Sequence, residues 1–209
     1  YVRDAIINFI ALLGWCPDVK KYGEKEFFTM DELIEAFDLS GLSKSPAIFN
    51  TEKLNWFNHE YISKMDFEEY LEMATPWFDK ALAGKNVDYR MLASLMHIRT
   101  EIFSQVPEQI KFLAELPEYD PEIYTHKKMK TNPEIALKAL ELARPALAAL
   151  DTFSEEAVKE VLMNLAAQNE MKNGQIMWPV RIAISGLAST PGGATEIAYL
   201  LGKDECLRR

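Results

Sequence analysis

The chain contains 209 residues, of which 48% are hydrophobic and 26% are charged, a composition typical of a soluble globular protein. Its formal net charge of −9 argues against a general nucleic-acid-binding protein, because such domains are usually basic. The two cysteines, Cys16 and Cys206, lie near opposite ends of the sequence without a C-x-x-C pair, so the usual zinc-site and disulfide patterns are absent.

The N-terminal stretch predicts a helix near 4–13 and shows no sign of a targeting or membrane segment. Its apolar run, within Ala5 to Leu13, is interrupted by Asn8 and ends at Gly14, so it is too short to span a bilayer. Asp4 lies inside this stretch and no basic region precedes it, whereas a secretory signal begins with a basic region. We therefore expect a cytoplasmic protein without a transmembrane helix.

Helix start and stop signals recur along the rest of the chain, and no segment shows sustained strand alternation. The start signals are capping boxes, cap-proline pairs and a capping serine: Thr29-x-x-Glu32, Asp66-x-x-Glu69, Asp120-Pro121, Asn132-Pro133 and Ser154. The stop signals are Gly14, Gly84, Gly186 and Gly202. They predict an all-α protein with helices near 4–13, 30–37, 51–63, 67–74, 76–83, 89–104, 107–115, 121–127, 133–149, 155–172, 178–185, 194–201 and 203–208.

A domain boundary is predicted between Pro117 and Pro133, where prolines and a basic run interrupt the apolar periodicity. We place two domains at 1–117 and 118–209. No internal repeat is visible, which argues against a helical repeat array.

Little in the sequence supports catalysis. The three histidines, His59, His97 and His126, lie far apart and belong to no nucleophile pattern. Leu42 to Ser45 resembles the tail of the KMSKS loop with which class I aminoacyl-tRNA synthetases hold ATP, but the following proline directs the chain away from helical backbone. A short turn at Thr190 to Gly193 predicts a helix start whose amides could receive a phosphate or a base. We expect no catalytic residue, no metal site and no cofactor in this chain.

Arg99 is a charged residue in an apolar pattern. The predicted helix 89–104 has an apolar stripe formed by Leu92, Leu95, Met96 and Phe103, and Arg99 falls on the same stripe. A charge on a packing face must reach solvent, pair with a carboxylate such as Glu101 or Glu108, or meet a ligand. The pattern alone leaves these alternatives open.

Two segments, Arg90 to Arg99 and His126 to Lys130, are locally basic although the whole chain is acidic. An RNA contact would have to be local, and the alternative is that these residues belong to solvated helix faces and a loop.

Four segments carry a resemblance to a known family. Ser43 to Ile62 reads SKSPAIFNTEKLNWFNHEYI, Asp4 to Trp15 reads DAIINFIALLGW, Phe27 to Phe37 reads FFTMDELIEAF, and Gly174 to Lys203 runs from GQIMWPVRIAISG to EIAYLLGK. They resemble the region that follows the catalytic half of bacterial glutamyl-tRNA synthetase, strongly at both ends of the chain and weakly from 111 to 173. In that resemblance the ATP loop lies before Tyr1, and Ser43 to Ser45 is not part of it.

The resemblance implies both a fold and a function. The fold is a superhelical array of helices, with stem-contact helices and a first anticodon-binding subdomain in 1–117 and a second subdomain in 118–209. The function is recognition of the anticodon of the tRNA for glutamate by a glutamate–tRNA ligase whose ATP-dependent and Mg-dependent catalytic half is missing here. The implied partners are that tRNA and the catalytic domain, without DNA or a membrane, and the implied state is a monomer.

The family's tRNA-binding residues fall on four positions of this chain. Arg99, eight residues before Pro107-Glu108, matches an arginine that reads the third anticodon base. Arg181 matches the arginine of the family's P-[LV]-R helix start, and Thr190 and Pro191 match a T-P pair that packs around anticodon bases. This sequence departs from the pattern after Pro191, where one extra residue is inserted and the apolar side chain that would stack on a base has no equivalent. Trp178 can stack on a base or be buried in a helix start.

Two other functions remain open. The net charge of −9 favours a stand-alone helical module that binds a protein partner. A non-discriminating synthetase that also recognises the tRNA for glutamine would use the same fold.

Overall fold

The computed structural model describes residues 1–209 and confirms the predicted all-α class. No β-strand forms, and the only β-type pairings are isolated bridges between Trp15 and Leu42 and between His126 and Thr131. No helix is both long and apolar enough to cross a bilayer. The α-helices are α1 (Arg3–Leu12), α2 (Val19–Tyr22), α3 (Met30–Ala36), α4 (Thr51–Lys64), α5 (Phe67–Leu82), α6 (Tyr89–Met96), α7 (Val106–Ile110), α8 (Pro133–Ala148), α9 (Glu155–Gln168), α10 (Asn173–Ser185), α11 (Ala194–Leu201) and α12 (Lys203–Arg208). Short 3-10 helices lie at Leu39–Gly41, His97–Arg99, Phe103–Gln105, Lys111–Leu113 and Pro121–Tyr124.

The predicted capping residues form the expected hydrogen bonds. Thr29 and Glu32 make a reciprocal capping box at the start of α3. The side chains of Asn132 and Ser154 accept hydrogen bonds from backbone N–H groups at the starts of α8 and α9. Gly186 ends α10 in the left-handed conformation, with φ of 69°.

One predicted break does not occur, because α5 runs through Pro76 instead of dividing into 67–74 and 76–83. Tyr70, Ala74, Phe78 and Leu82 are spaced four residues apart and are all buried. A continuous packing face therefore outweighs the hydrogen bond that the proline removes.

The predicted helix 89–104 is wrong in its second half. The α-helix ends at Met96, and two short 3-10 helices follow. The Met96 carbonyl accepts from both the backbone N–H of buried Thr100, at 2.9 Å, and its hydroxyl, at 3.0 Å. Thr100 itself has extended backbone, with ψ of 114°, so the helical path does not continue beyond it.

Several other predicted bounds also differ. The segment 107–115 becomes α7 followed by a 3-10 turn, and 121–127 shortens to Pro121–Tyr124. Helix α9 ends at Gln168, because Glu170 adopts a positive φ of 54°. Helix α10 begins at Asn173, five residues before the predicted start at 178, since the Gln175 side chain accepts from the Lys172 backbone N–H at 2.9 Å. Helix α2 was not predicted.

The first of two compact units comprises Tyr1–Ala74 and Met96–Val106. Its apolar clusters form around Trp15, with Phe28 and Leu33, and around Phe9, with Leu54 and Phe57. Asn8 is fully buried and links these elements: it donates to the Glu26 carbonyl at 2.7 Å and accepts from the Phe28 N–H at 2.6 Å and the Tyr61 hydroxyl at 2.8 Å.

The second unit comprises Thr75–Leu95 and Pro107–Arg209. Helix α10 is its central element, because it packs against α8, α9 and α11 and buries Ile176, Val180, Ile182 and Ile184. The predicted boundary between 117 and 118 stays a prediction.

Candidate functional site

Arg99 lies at the end of the 3-10 helix His97–Arg99, in the first unit, and its side chain is exposed. Arg99 therefore reaches solvent, which is one of the alternatives that its position on the apolar stripe left open, and it lies beyond the end of α6. Met96 and Thr100, three residues before and one residue after Arg99, are buried, whereas Ile98 is exposed, so Arg99 lies on an exposed segment between two buried positions.

Buried groups hold the backbone on both sides of Arg99. The His97 ring stacks on Tyr70 with centroids 4.4 Å apart, and its Nε2 lies 2.8 Å from the Ile62 carbonyl, which requires a proton on that nitrogen. The Tyr70 hydroxyl lies 2.7 Å from the Thr100 hydroxyl, and burial raises the pKa of Tyr70 to about 12, so it stays protonated. The Asn58 amide donates to the Glu101 carbonyl. Little rearrangement of this backbone is needed before Arg99 meets a ligand.

Arg181 lies in the middle of α10, in the second unit, and is partly buried. Its Nη2 donates to the Ala188 carbonyl at 2.6 Å, and its Cζ lies 4.6 Å from the centroid of the Trp178 ring. Burial lowers the pKa of Arg181, but a guanidinium remains charged in proteins. Its position is fixed by a carbonyl and an aromatic ring, an arrangement that stacking and hydrogen bonding favour for arginine.

Two buried N–H donors in this region, Nε of Arg181 and Nε1 of Trp178, have no hydrogen-bond partner. The Trp178 ring is partly buried and also contacts the His126 ring, with centroids 4.2 Å apart. Sequence reasoning did not find this contact with His126, because the two residues are 52 positions apart along the chain.

Thr190 and Pro191 lie in the loop that joins α10 to α11. The Thr190 hydroxyl donates to the Gly192 carbonyl at 2.6 Å, so the loop is held by its own side chain. A Cβ on Gly192 would lie 3.0 Å from both Glu196 and Leu95, so this position favours glycine. Arg181 reaches the same loop at Ala188, two residues before Thr190. The second unit therefore brings Arg181, Thr190 and Pro191 into one region, whereas Arg99 lies in the other unit.

No group of three or more His, Cys, Asp or Glu side chains is arranged to hold a metal ion, and both cysteines are free. The candidate site consists of arginine, tryptophan, a hydroxyl and backbone groups, which are suited to hydrogen bonding and stacking with a ligand.

Comparison with known families matches most of the chain to two family descriptions. Residues 69–209 match the family described as "Anticodon binding domain", and residues 1–56 match "tRNA synthetases class I (E and Q), catalytic domain".

Individual relatives agree with these matches. A glutamate–tRNA ligase of Clostridium botulinum (strain Hall) is 49% identical over all 209 residues, which is 100% of this chain and 42% of the relative, and one of Clostridium kluyveri is 47% identical with the same coverage. A solved glutamate tRNA ligase of Elizabethkingia meningosepticum, in complex with its amino acid, superimposes with a TM-score of 0.80 at 29% identity and covers 100% of this chain and 40% of that one. Glutamate-tRNA synthetase of Elizabethkingia anophelis gives a TM-score of 0.79 at 28% identity, over 100% of this chain and 39% of that one. The chain thus spans about two fifths of the relatives that it matches.

Proposed function

Since this chain belongs to the anticodon-binding domain family, we propose that it recognises the anticodon of the tRNA for glutamate as part of a glutamate–tRNA ligase. The observation that carries the proposal is 49% identity to such a ligase across the entire chain. We further propose that the complete protein attaches glutamate to its tRNA with ATP and Mg²⁺ and is a cytoplasmic monomer. Residues 1–56 match part of a catalytic domain family, and we propose that the residues that perform this chemistry lie outside 1–209.

Arg99 is proposed to read the third anticodon base, which is C in the tRNA for glutamate and G in the tRNA for glutamine. The Watson–Crick edge of C offers the acceptors O2 and N3, which suit a guanidinium that carries only donors. The same edge of G presents the donors N1–H and N2–H, which would face the guanidinium unpaired. The exposure of Arg99 and its anchored backbone support this assignment.

Arg181, Thr190 and Pro191 are proposed to bind the other anticodon bases. Single-stranded bases are recognised through hydrogen bonds to their edges and by stacking on aromatic rings or guanidinium planes. The stacked Trp178–Arg181 pair provides both kinds of contact, and Arg181 also fixes the loop that carries Thr190 through the Ala188 carbonyl.

The test compares two anticodon stem-loops that differ only in the third anticodon base. For the natural chain we expect the dissociation constant to be roughly tenfold to a hundredfold lower for C than for G, as for other bidentate base contacts. Arg99→Gln should bring that ratio close to one, because an amide can donate or accept. The matched control is Arg144→Gln, which removes an exposed arginine from α8 and should leave the ratio unchanged.

Other outcomes identify other functions. An unchanged ratio in a folded Arg99→Gln variant would show that Arg99 has only a structural role. Equal binding of both stem-loops by the natural chain would indicate a non-discriminating synthetase. Absence of binding to either would favour the protein-interaction module, which the net charge of −9 supports.

A further inference from the structure

The segment His126 to Thr131 forms a closed turn in the second unit. The backbone N–H of His126 donates to the Thr131 carbonyl at 3.1 Å, and the Thr131 N–H donates back to the His126 carbonyl at 3.2 Å. The Met129 N–H donates to Nδ1 of the His126 ring at 3.2 Å, so that nitrogen carries no proton. Lys130 adopts a φ of 56°, a left-handed conformation uncommon for residues other than glycine. We refer to 126–131 as the basic turn.

Three contacts attach the basic turn to the first half of α10. The His126 ring packs on Trp178, the Gln175 amide donates to the Lys130 carbonyl at 3.1 Å, and Met129 lies against Gly174. The last contact is so close that a Cβ on Gly174 would lie 2.8 Å from the Met129 sulfur. Because Trp178 also contacts Arg181, the basic turn is fixed beside the residues proposed to bind anticodon bases.

The lysines of the basic turn carry uncompensated charge. Lys127, Lys128 and Lys130 are exposed and form no ion pair. Five of the thirteen other lysines are paired with carboxylates: Lys21, Lys25, Lys53, Lys64 and Lys111. Three unpaired ammonium groups on a fixed turn create a local positive field, and the chain as a whole has a net charge of −9.

We propose that the basic turn is a phosphate-binding site, in which Lys127, Lys128 and Lys130 contact the RNA backbone next to the bases held by Trp178 and Arg181. This inference rests on the proposed function and adds a contact that positions the RNA without reading its sequence. Lysine suits this role, because it is a point charge with rotatable donors and needs no planar partner.

The salt dependence of binding separates this role from a structural one. Each phosphate contact to a single strand contributes about 0.7 to the slope of log K against log salt. Lys127→Gln combined with Lys128→Gln should therefore lower the slope by roughly 1.4 and weaken binding roughly tenfold or more at 0.1 M salt. Both stem-loops should lose affinity equally, so the preference for C over G should not change.

Two controls accompany this double variant. Lys138→Gln combined with Lys159→Gln removes the same charge from exposed positions on α8 and α9 and should leave the slope unchanged. Lys127→Arg combined with Lys128→Arg keeps both charges and should keep the natural slope.

The inference is overturned if the variant of the basic turn keeps the natural salt slope, or if the control variant on α8 and α9 lowers that slope by the same amount. In either case the natural chain still binds and the proposed function stands. If the natural chain binds neither stem-loop at any salt concentration, the proposed function and the phosphate site both fail.

Discussion

The side chain of Arg209 is fully shielded from solvent, and its guanidinium donates to the carbonyls of Phe112 and Ile184, each at 2.7 Å. It also donates to the Glu205 carboxylate at 2.7 Å. The exposed Arg208 bonds to the same carboxylate, and hydrogen bonds from Arg208 and Arg209 lower the pKa of Glu205 to about 2. Arg209 thereby joins the 3-10 turn near 112, the end of α10 and α12.

Arg209→Met should lower the free energy of unfolding at pH 7 by about 3 kcal/mol, because it leaves buried carbonyls without donors. Arg208→Met is the matched control, since it removes an exposed partner of the same carboxylate and should cost less than about 1 kcal/mol. Urea denaturation of both variants measures the two values, and equal losses would show that burial of Arg209 is unimportant.

Measuring the free energy of unfolding at acidic pH provides a second test of the Arg209–Glu205 ion pair. The folded-state pKa of Glu205 lies below its ordinary value of 4.5, so the stability that the carboxylate contributes is present above pH 4.5. That contribution is lost as the pH falls towards about 2. The difference between the natural chain and Arg209→Met should therefore shrink over that range.

Single residues are where sequence pattern and structure differ most. In the sequence, Asn8 is only an interruption of an apolar run, whereas in the structure its buried amide joins α1 to segment 26–28 and to α4. The role of such a residue depends on partners that are distant along the chain. Family resemblance singles out Arg99, whereas the helical pattern alone leaves its environment open.

At the scale of elements, local chemistry predicted where helices start better than where they end. Thr29, Asn132 and Ser154 cap their helices as expected, because capping involves groups only two or three residues away. Thr100, just beyond the end of α6, is buried and its hydroxyl lies 2.7 Å from that of Tyr70, 30 residues away, so a local pattern does not show this burial. The sequence shows the basic turn as a run of charge, but its attachment to α10 depends on residues about 50 positions away and has no local signal.

Pro76→Ala should stabilise the protein by roughly 2 kcal/mol, because alanine restores the helical hydrogen bond. Part of that gain is offset, because the unfolded chain has more conformational entropy without the proline. Pro133→Ala is the matched control, because Pro133 occupies the first position of α8, where the N–H has no partner within the helix. Its effect should stay within about 0.5 kcal/mol. Thermal unfolding provides the measurement, and similar shifts for both variants would contradict the explanation given for α5.

Over the whole molecule, exposed apolar side chains are concentrated in residues 1–56, the part that matches a catalytic domain family. Ile48 is 85% exposed, Leu39 is 74% exposed and Ile34 is 70% exposed. The sequence pattern does not show this exposure, because the spacing of apolar residues does not distinguish a core face from an exposed one.

The whole 209-residue chain should show no glutamate-dependent exchange of pyrophosphate into ATP, with or without tRNA. The segment that resembles an ATP loop, 42–45, makes structural contacts instead. The Ser43 N–H donates to the Gly14 carbonyl at 2.8 Å, and the Ser43 hydroxyl accepts from the Ser45 N–H at 3.1 Å. Leu42, just before Ser43, bridges to the buried Trp15.

Lys44 is exposed beside these contacts, so Lys44→Ala should change stability by less than about 0.5 kcal/mol and leave tRNA binding unaltered. The measurement is exchange of labelled pyrophosphate by the natural chain and by Lys44→Ala, with a complete glutamate–tRNA ligase as the positive control. Exchange by the natural chain that disappears in Lys44→Ala would mean that this segment binds ATP, and the assignment of catalysis to another part of the protein would then be wrong.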